Sequence, residues 1–277
     1  MSTIQQILIT GATGGVGQLA VAYALSQGHR VKAVTRNVVK ARPLFDSQLD
    51  DRVELVQADL RLPETLNTLL EGVDAVLCCS GTTAFPSDKW QAELPADPLQ
   101  QFFTWWRIFL DADYRQQHTK NSPAIADGQG VKNLIAAAKN YPIQRFVLVS
   151  SLGVERKQDL PFNLLNAYGV LDAKASAETA LRDSGLGYTI VRPGRLIDGP
   201  YTSYDLNTLI KASTEGKQNV VLGQGDQLLG QTSRKDVAAV CVECLTHTTT
   251  VDQTFEIINQ GVRPSSIDWS QLFADLS

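Results

Sequence analysis

The glycine-rich turn GATGGVGQ at residues 11–18 follows directly on the apolar run QILIT at 6–10 and opens a helix-compatible stretch. This order of strand, turn and helix restricts the fold more than any other feature of the chain. Gly11, Gly14 and Gly17 are spaced three apart. Residues without side chains permit a tight turn, close approach of the backbone to a pyrophosphate, and close packing of the next helix, whose free amides and dipole favour phosphate. Thr13, Gly15 and Val16 lie in the same turn and belong to the same candidate cofactor contact. A glycine cluster alone would equally suit a tight turn, but here strand, glycines and helix arrive in the order that a dinucleotide needs.

Further apolar runs repeat the alternation: RVKAVT at 30–35, VELVQ at 53–57, AVLCCS at 75–80, RFVLVS at 145–150 and YTIVR at 188–192. Helices are expected over about 15–27, 62–70, 129–140 and 170–183, giving βα crossovers that cover both faces of a mostly parallel sheet. The expectation is an α/β, Rossmann-like, doubly wound sheet with a small C-terminal substrate lobe. Residues 1–194 would form the NAD(P)-binding core, and 195–277 a mixed lobe with elements returning to that core. In the second part a helix is expected around Asp205–Ser213, strands near 219–222 and 254–259, and a last helix from about Ile267 to Leu276. No internal repeat interrupts this pattern.

An acidic residue at the end of the second strand would accept ribose hydroxyls, but the chain has Thr35, Arg36 and Asn37 there. Arg36 can pair with a 2′-phosphate, so NADP(H) is favoured, with NAD(H) as the alternative. Asp59, after the third strand, either bonds adenine or caps the helix expected near Leu62. After the fourth strand, Ser80, Gly81 and Thr82 would let the backbone pass close to the cofactor. The longer connection from Thr83 to Ala126 holds Phe102, Trp105, Trp106 and Phe109 at partly helical spacing. Those aromatics would cover the cofactor, line a substrate pocket, bury an oligomer interface or simply pack.

A formal net charge of -4 offers no polybasic field, so nucleic acid is not an expected partner. No apolar run approaches the roughly 20 residues that span a bilayer. The opening MSTIQQILIT has none of the parts of a secretory signal, and the cytoplasm is the expected location. Cys241 and Cys244 form a CVEC sequence, but they continue the apolar pattern of DVAAVCVECL and read as buried structural residues. The three histidines are dispersed, and no metal site is expected.

Together ILITGATGGVGQ, VTRN, QADL, DGQGVKNLIAAAK, RFVLVSSLG, LDAKASAETALRDSGLGYTIVRPG and TSRKDVAAVCVECL resemble an atypical short-chain dehydrogenase/reductase, in the NAD(P)-binding group of NmrA-like and Tic62-like proteins. The resemblance covers most of the chain. It implies pyrophosphate at the three glycines, adenosine phosphate near Arg36, and adenine near Asp59 and Leu60. Cys79, Ser80 and Gly81 would meet the central part of the cofactor. Ser150 and Ser151 follow the fifth strand, where one hydroxyl would face nicotinamide or substrate. Lys174 would bind the nicotinamide ribose, and Pro193, Gly194 and Arg195 would pass beside the carboxamide.

The resemblance stops at the proton donor. A tyrosine four residues before Lys174 would share its helical face after about 400° of rotation, but that position is Val170. Tyr168 lies six residues before the lysine, well around a continuous helix, and could reach the site only from a preceding loop freed by Gly169. Ser151, Tyr168 and Lys174 are therefore the candidate catalytic set. Tyr201 and Tyr204 join Ser151 and Tyr168 as candidate substrate contacts. Arg234 and Asp236 either position substrate or tie the C-terminal part to the core. Two functions remain open: an NADP-dependent oxidoreductase acting on a small organic substrate, or a non-catalytic NADP(H)-binding sensor or protein-interaction module. An oligomer is compatible with either.

Overall fold

The computed structural model describes residues 4–45, 51–196 and 217–276. Strands β1 (Gln6–Thr10), β2 (Arg30–Thr35), β3 (Val53–Gln57), β4 (Ala75–Cys78), β5 (Arg145–Val149) and β6 (Tyr188–Pro193) are parallel, in the order β3-β2-β1-β4-β5-β6. After the short β7 (Arg195–Leu196) come β8 (Gln218–Gly223), β9 (Gln231–Thr232) and β10 (Gln253–Val262). β10 joins β6 in parallel and β8 closes the edge antiparallel, completing eight strands, while β7 and β9 pair separately. This is the Rossmann-like, mostly parallel α/β sheet expected from the alternation of strand and helix patterns.

The helices are α1 (Gly15–Ser26), α2 (Val38–Phe45), α3 (Pro98–Leu110), α4 (Ala112–His118), α5 (Gly130–Ala138), α6 (Phe162–Leu165), α7 (Val170–Arg182), α8 (Arg234–Thr246) and α9 (Trp269–Ala274). Side chains alternate across a strand, so β1 sends Ile7 and Ile9 to one face and Leu8 to the other. Likewise β5 sets Val147 against Phe146 and Leu148, and β6 sets Val191 against Ile190. One layer packs under Ala20, Val21 and Ala24 of α1 and Val237, Val240 and Cys241 of α8. The other packs under Val131, Leu134 and Ile135 of α5 and Ala177 and Leu181 of α7. Each fully buried Leu, Ile or Phe in these layers contributes about 1.5–3 kcal/mol.

One helical expectation changes. The segment expected as a helix over 62–70 is a 3-10 turn at Pro63–Leu66 followed by further tight turns. Thr65 competes for the backbone there, its hydroxyl donating to Asp59 O and Leu62 O at 2.9 and 2.8 Å. The aromatic connection holds two helices, because Asp111 is extended and its carboxylate caps α4 by accepting from Tyr114 N at 2.9 Å. Cys241 and Cys244 are buried free thiols on α8, and burial pushes Cys244 up to about 12. No helix among the described residues is long and apolar enough to cross a membrane. Strand order reverses between β1 and β4, which opens a crevice at the carboxyl edge of the sheet.

Candidate functional site

The glycine turn forms one wall of that crevice. Gly11 has φ +66°, and a Cβ there would lie 2.6 Å from Cys79 O at the end of β4. A Cβ on Gly17 would come within 2.1 Å of Gly11 O, so turn and helix touch through bare backbone. Gly14 is extended and starts α1 without a side-chain cap, and no acidic residue stands in the first turn. The amides of Gly15, Val16 and Gly17 thus have no partner within the helix and present a positive dipole end. A cradle cleared of Cβ atoms and rimmed by uncapped amides fits a diphosphate. Thr13 is exposed beside it, its carbonyl accepting from Gln18 Nε2 at 3.0 Å.

At the end of β2, Thr35 is buried and Arg36 is exposed, with Nη1 3.3 Å from Asn121 Oδ1. Asn37 accepts from Lys40 N at 2.9 Å and caps α2. Asp59 accepts from Arg61 Nε at 2.8 Å and from Arg61 N at 3.1 Å. Burial opposes its ionisation, but the Arg61 hydrogen bonds and charge outweigh burial and hold the carboxyl below its ordinary range. Its oxygens are therefore committed to a turn with Arg61 and do not cap a helix. Partial burial and then the nearby Arg61 charge lower the Arg36 pKa. Two guanidinium groups at one edge repel, and a phosphate between them would relieve that repulsion. Leu60 is half-buried, and its carbonyl accepts from Asn133 Nδ2 at 2.9 Å.

Across the crevice, β4 runs out through Cys79, Ser80 and Gly81. Ser80 Oγ donates to Thr10 Oγ1 at 3.0 Å, which binds the β4 exit to the end of β1. Thr82 N donates to Asp127 Oδ2 at 3.0 Å, and Lys174 Nζ lies 2.9 Å from Asp127 Oδ1. Ser80, Asp127, Leu148, Ser150 and Lys174 line a small depression at the ends of β4 and β5. The Ser150 hydroxyl is engaged, donating to the buried Glu178 Oε1 at 2.5 Å. Ser151 donates to Leu152 O at 3.0 Å. After β6, Gly194 N donates to Ile257 O at 2.9 Å, and a Cβ on Gly194 would lie 2.6 Å from Gly230 O. Pro193 and Gly194 are thus pressed against the backbone at Gly230 and Ile257, with Pro193 O accepting from Leu152 N at 3.0 Å.

Helix α7 begins at Val170, after Gly169 in the left-handed region at φ 76°. Tyr168 therefore precedes the helix, and its six-residue distance from Lys174 is no helical offset. Its ring meets Phe109, Phe85 and Trp90 edge-on at 5.6, 5.9 and 5.9 Å. Arg115 lies 5.1 Å over the same ring. Val170 is buried among Leu152, Phe162 and Leu171. The 83–126 segment thus builds an aromatic surface on Tyr168, while Phe102, Phe103 and Trp106 of α3 face solvent. Asp236 accepts from Arg263 at 2.7 and 2.9 Å and from Asn259 Nδ2 at 2.8 Å, tying α8 to β10. Arg234 is buried beside it in the chain. Tyr201, Tyr204 and the helix expected around Asp205–Ser213 lie outside the described residues.

Asp127, Glu178 and Arg61 lie outside the candidate residues that the sequence offers. Asp127 falls in step with the buried stripe Val131, Leu134, Ile135 and Ala138 of α5, and Glu178 lies one turn after Lys174. A charge in register with an apolar stripe was the available signal.

A family model described as NAD(P)H-binding matches residues 11–248. The chain belongs to this NAD(P)H-binding family. Within it, the expected NmrA-like and Tic62-like group is supported by the protein TIC 62 of Pisum sativum, 30% identical over 76% of this chain and 36% of that one. An uncharacterized chloroplastic protein of Arabidopsis thaliana is 30% identical over 98% of this chain and 82% of its own length. Sanguinarine reductase of Eschscholzia californica is 27% identical, covering 98% and 96% of the two chains. Among solved structures, a putative NAD-dependent epimerase/dehydratase from Bacillus halodurans shares the fold, with a TM-score of 0.67, 24% identity, and coverage of 98% and 100%.

Proposed function

We propose that this member of the family is an NADP(H)-dependent oxidoreductase that reduces a small apolar organic acceptor with an unsaturated ring system. The observation that carries this reading is that the β4 exit, Cys79 to Thr82, is met from one side by the glycine turn and from the other by Asp127 with its partner Lys174. Gly15, Val16 and Gly17 would hold the diphosphate. Arg36, with Arg61 nearby, would take the 2′-phosphate, and Lys174 the nicotinamide ribose. When bound, the nicotinamide supplies the hydride.

The chain's own residues orient the reactants and shape the apolar side. Phe85, Phe109 and Tyr168 form a partly exposed aromatic surface that suits a flat, unsaturated molecule and sheds water from it. The near end-to-end match to a sanguinarine reductase supports the reaction type. The exposed aromatic face of α3 favours the second reading, a nicotinamide-binding protein that presents this helix to a protein partner.

Incubation with NADPH or NADH and a panel of quinones and flat iminium compounds separates the two. The expected result is NADPH oxidation by at least one acceptor, slower oxidation of NADH, and about 100-fold loss of kcat/KM in Lys174→Met. Tyr168→Phe keeps the ring and should retain activity, whereas Tyr168→Ala should raise KM. Binding of NADPH without oxidation by any acceptor would favour the partner-binding reading.

A further inference from the structure

Asp127 sits on the π-helical turn Ala124–Gln129 that feeds α5, a geometry frequent at functional sites. It is 2% exposed. A carboxylate at that depth is costly unless paired, and two groups meet it, Thr82 N at Oδ2 and Lys174 Nζ at Oδ1. The Lys174 contact is ionic without hydrogen-bond alignment, so Oδ1 has no directed donor. An ionised carboxylate accepts at about four lone-pair positions, so capacity is left over. The backbone opposite is cleared of side chain, since a Cβ on Gly81 would lie 2.8 Å from Oδ1. Oδ1 and Lys174 Nζ share the depression that Ser80 and Ser150 also line. A hydroxyl suits this pair, because its hydrogen can go to Oδ1 while its oxygen accepts from the ammonium.

We infer that Asp127 is a cofactor-binding residue whose Oδ1 accepts a hydroxyl of the nicotinamide ribose while Lys174 donates to the same sugar. This rests on the nicotinamide reading proposed above. An Asp–Lys pair from two elements then does what a tyrosine at position 170 would do from α7 alone, where Val170 is turned into the apolar cluster. Asp127 also ties the β4 exit, through Thr82 N, to the lysine-bearing helix, so one carboxylate sets both sides of the ribose site.

The test compares NADPH with 2′-phospho-ADP, its adenosine half without the nicotinamide riboside, by calorimetric titration of wild type, Asp127→Ala, Asp127→Asn and Lys174→Met. Asp127→Ala should weaken NADPH binding about tenfold or more, the range of a hydrogen bond to a charged group, while 2′-phospho-ADP changes by less than about twofold. Asp127→Asn keeps an oxygen for Thr82 N and should show the same selective loss with 2′-phospho-ADP binding retained, which separates a lost contact from a lost fold. In Asp127→Ala/Lys174→Met the losses should fall short of the product of the single effects, as for residues sharing one ligand group. Equal weakening of both ligands, or of neither, would overturn the role of Asp127. Wild-type protein that binds neither ligand would overturn the nicotinamide reading and this inference with it.

Discussion

Arg36 leaves β2 with a long contact to Asn121, while Arg61 beside it is committed to Asp59. Of the two cations, Arg36 is therefore the one with donors to spare for a 2′-phosphate. Arg36→Ala should weaken NADPH about 10- to 100-fold and leave NADH within about twofold, since a charge-assisted hydrogen bond is worth about 1.5–3 kcal/mol. Side-by-side titrations check this, and equal loss for both cofactors would contradict it. Residues of this kind divide sharply in legibility. Gly11, Arg36 and Lys174 announce themselves by type and position after a strand or on a helix face. Asp127, Arg61 and Glu178 do not, because a buried paired charge and a solvated surface charge are the same letter in the sequence. Only the apolar stripe around Asp127 marks it as an inward residue.

Among the elements, β1, β2 and β3 occupy the same residues that their apolar runs mark, most plainly β1, an interior parallel strand whose residues after Gln6 are all buried. Ends and short crossovers were less legible. The 62–70 segment has helical composition, yet Thr65 takes carbonyl oxygens that a helix would need. At α7, Gly169 sets the start of the helix and so decides that Tyr168 belongs to the aromatic wall. The unit formed by β1, the glycine turn and α1 carries the firmest prediction at this scale. Gly17→Ala adds a Cβ within 2.1 Å of Gly11 O and must push α1 away from the turn. NADPH binding should fall on the order of 100-fold, about 2.7 kcal/mol, with a lower melting temperature. An alanine variant that binds NADPH as wild type does would show that the turn does not seat the cofactor.

Across the whole molecule, the C-terminal strands β8 and β10 extend the same sheet as the glycine turn, and α8 covers α1. A buried ion network holds the site side together. Glu178 accepts from Ser150 Oγ, from Arg192 Nε at 3.0 Å and Nη2 at 2.7 Å, and from Arg182 Nη2 at 2.8 Å. Arg192 also pairs with Glu155 at 2.7 Å, so α7, β6 and the loop after β5 meet at one carboxylate. Glu178→Gln leaves the buried Arg192 short of charge and should cost about 3 kcal/mol or more. That corresponds to a fall in melting temperature of roughly 6 °C or more, and an unchanged melt would contradict the role assigned to this network.

Reduction by this protein requires hydride to leave a nicotinamide held at the β1–β4 crevice. Its most direct test is NADPH carrying deuterium at the reactive ring carbon, mixed with the protein and a flat quinone or iminium acceptor, with the product analysed by mass spectrometry. Deuterium is expected in the reduced product, with transfer slowed about 100-fold in Lys174→Met. Tight binding of labelled NADPH with no deuterium passed to any acceptor would contradict it.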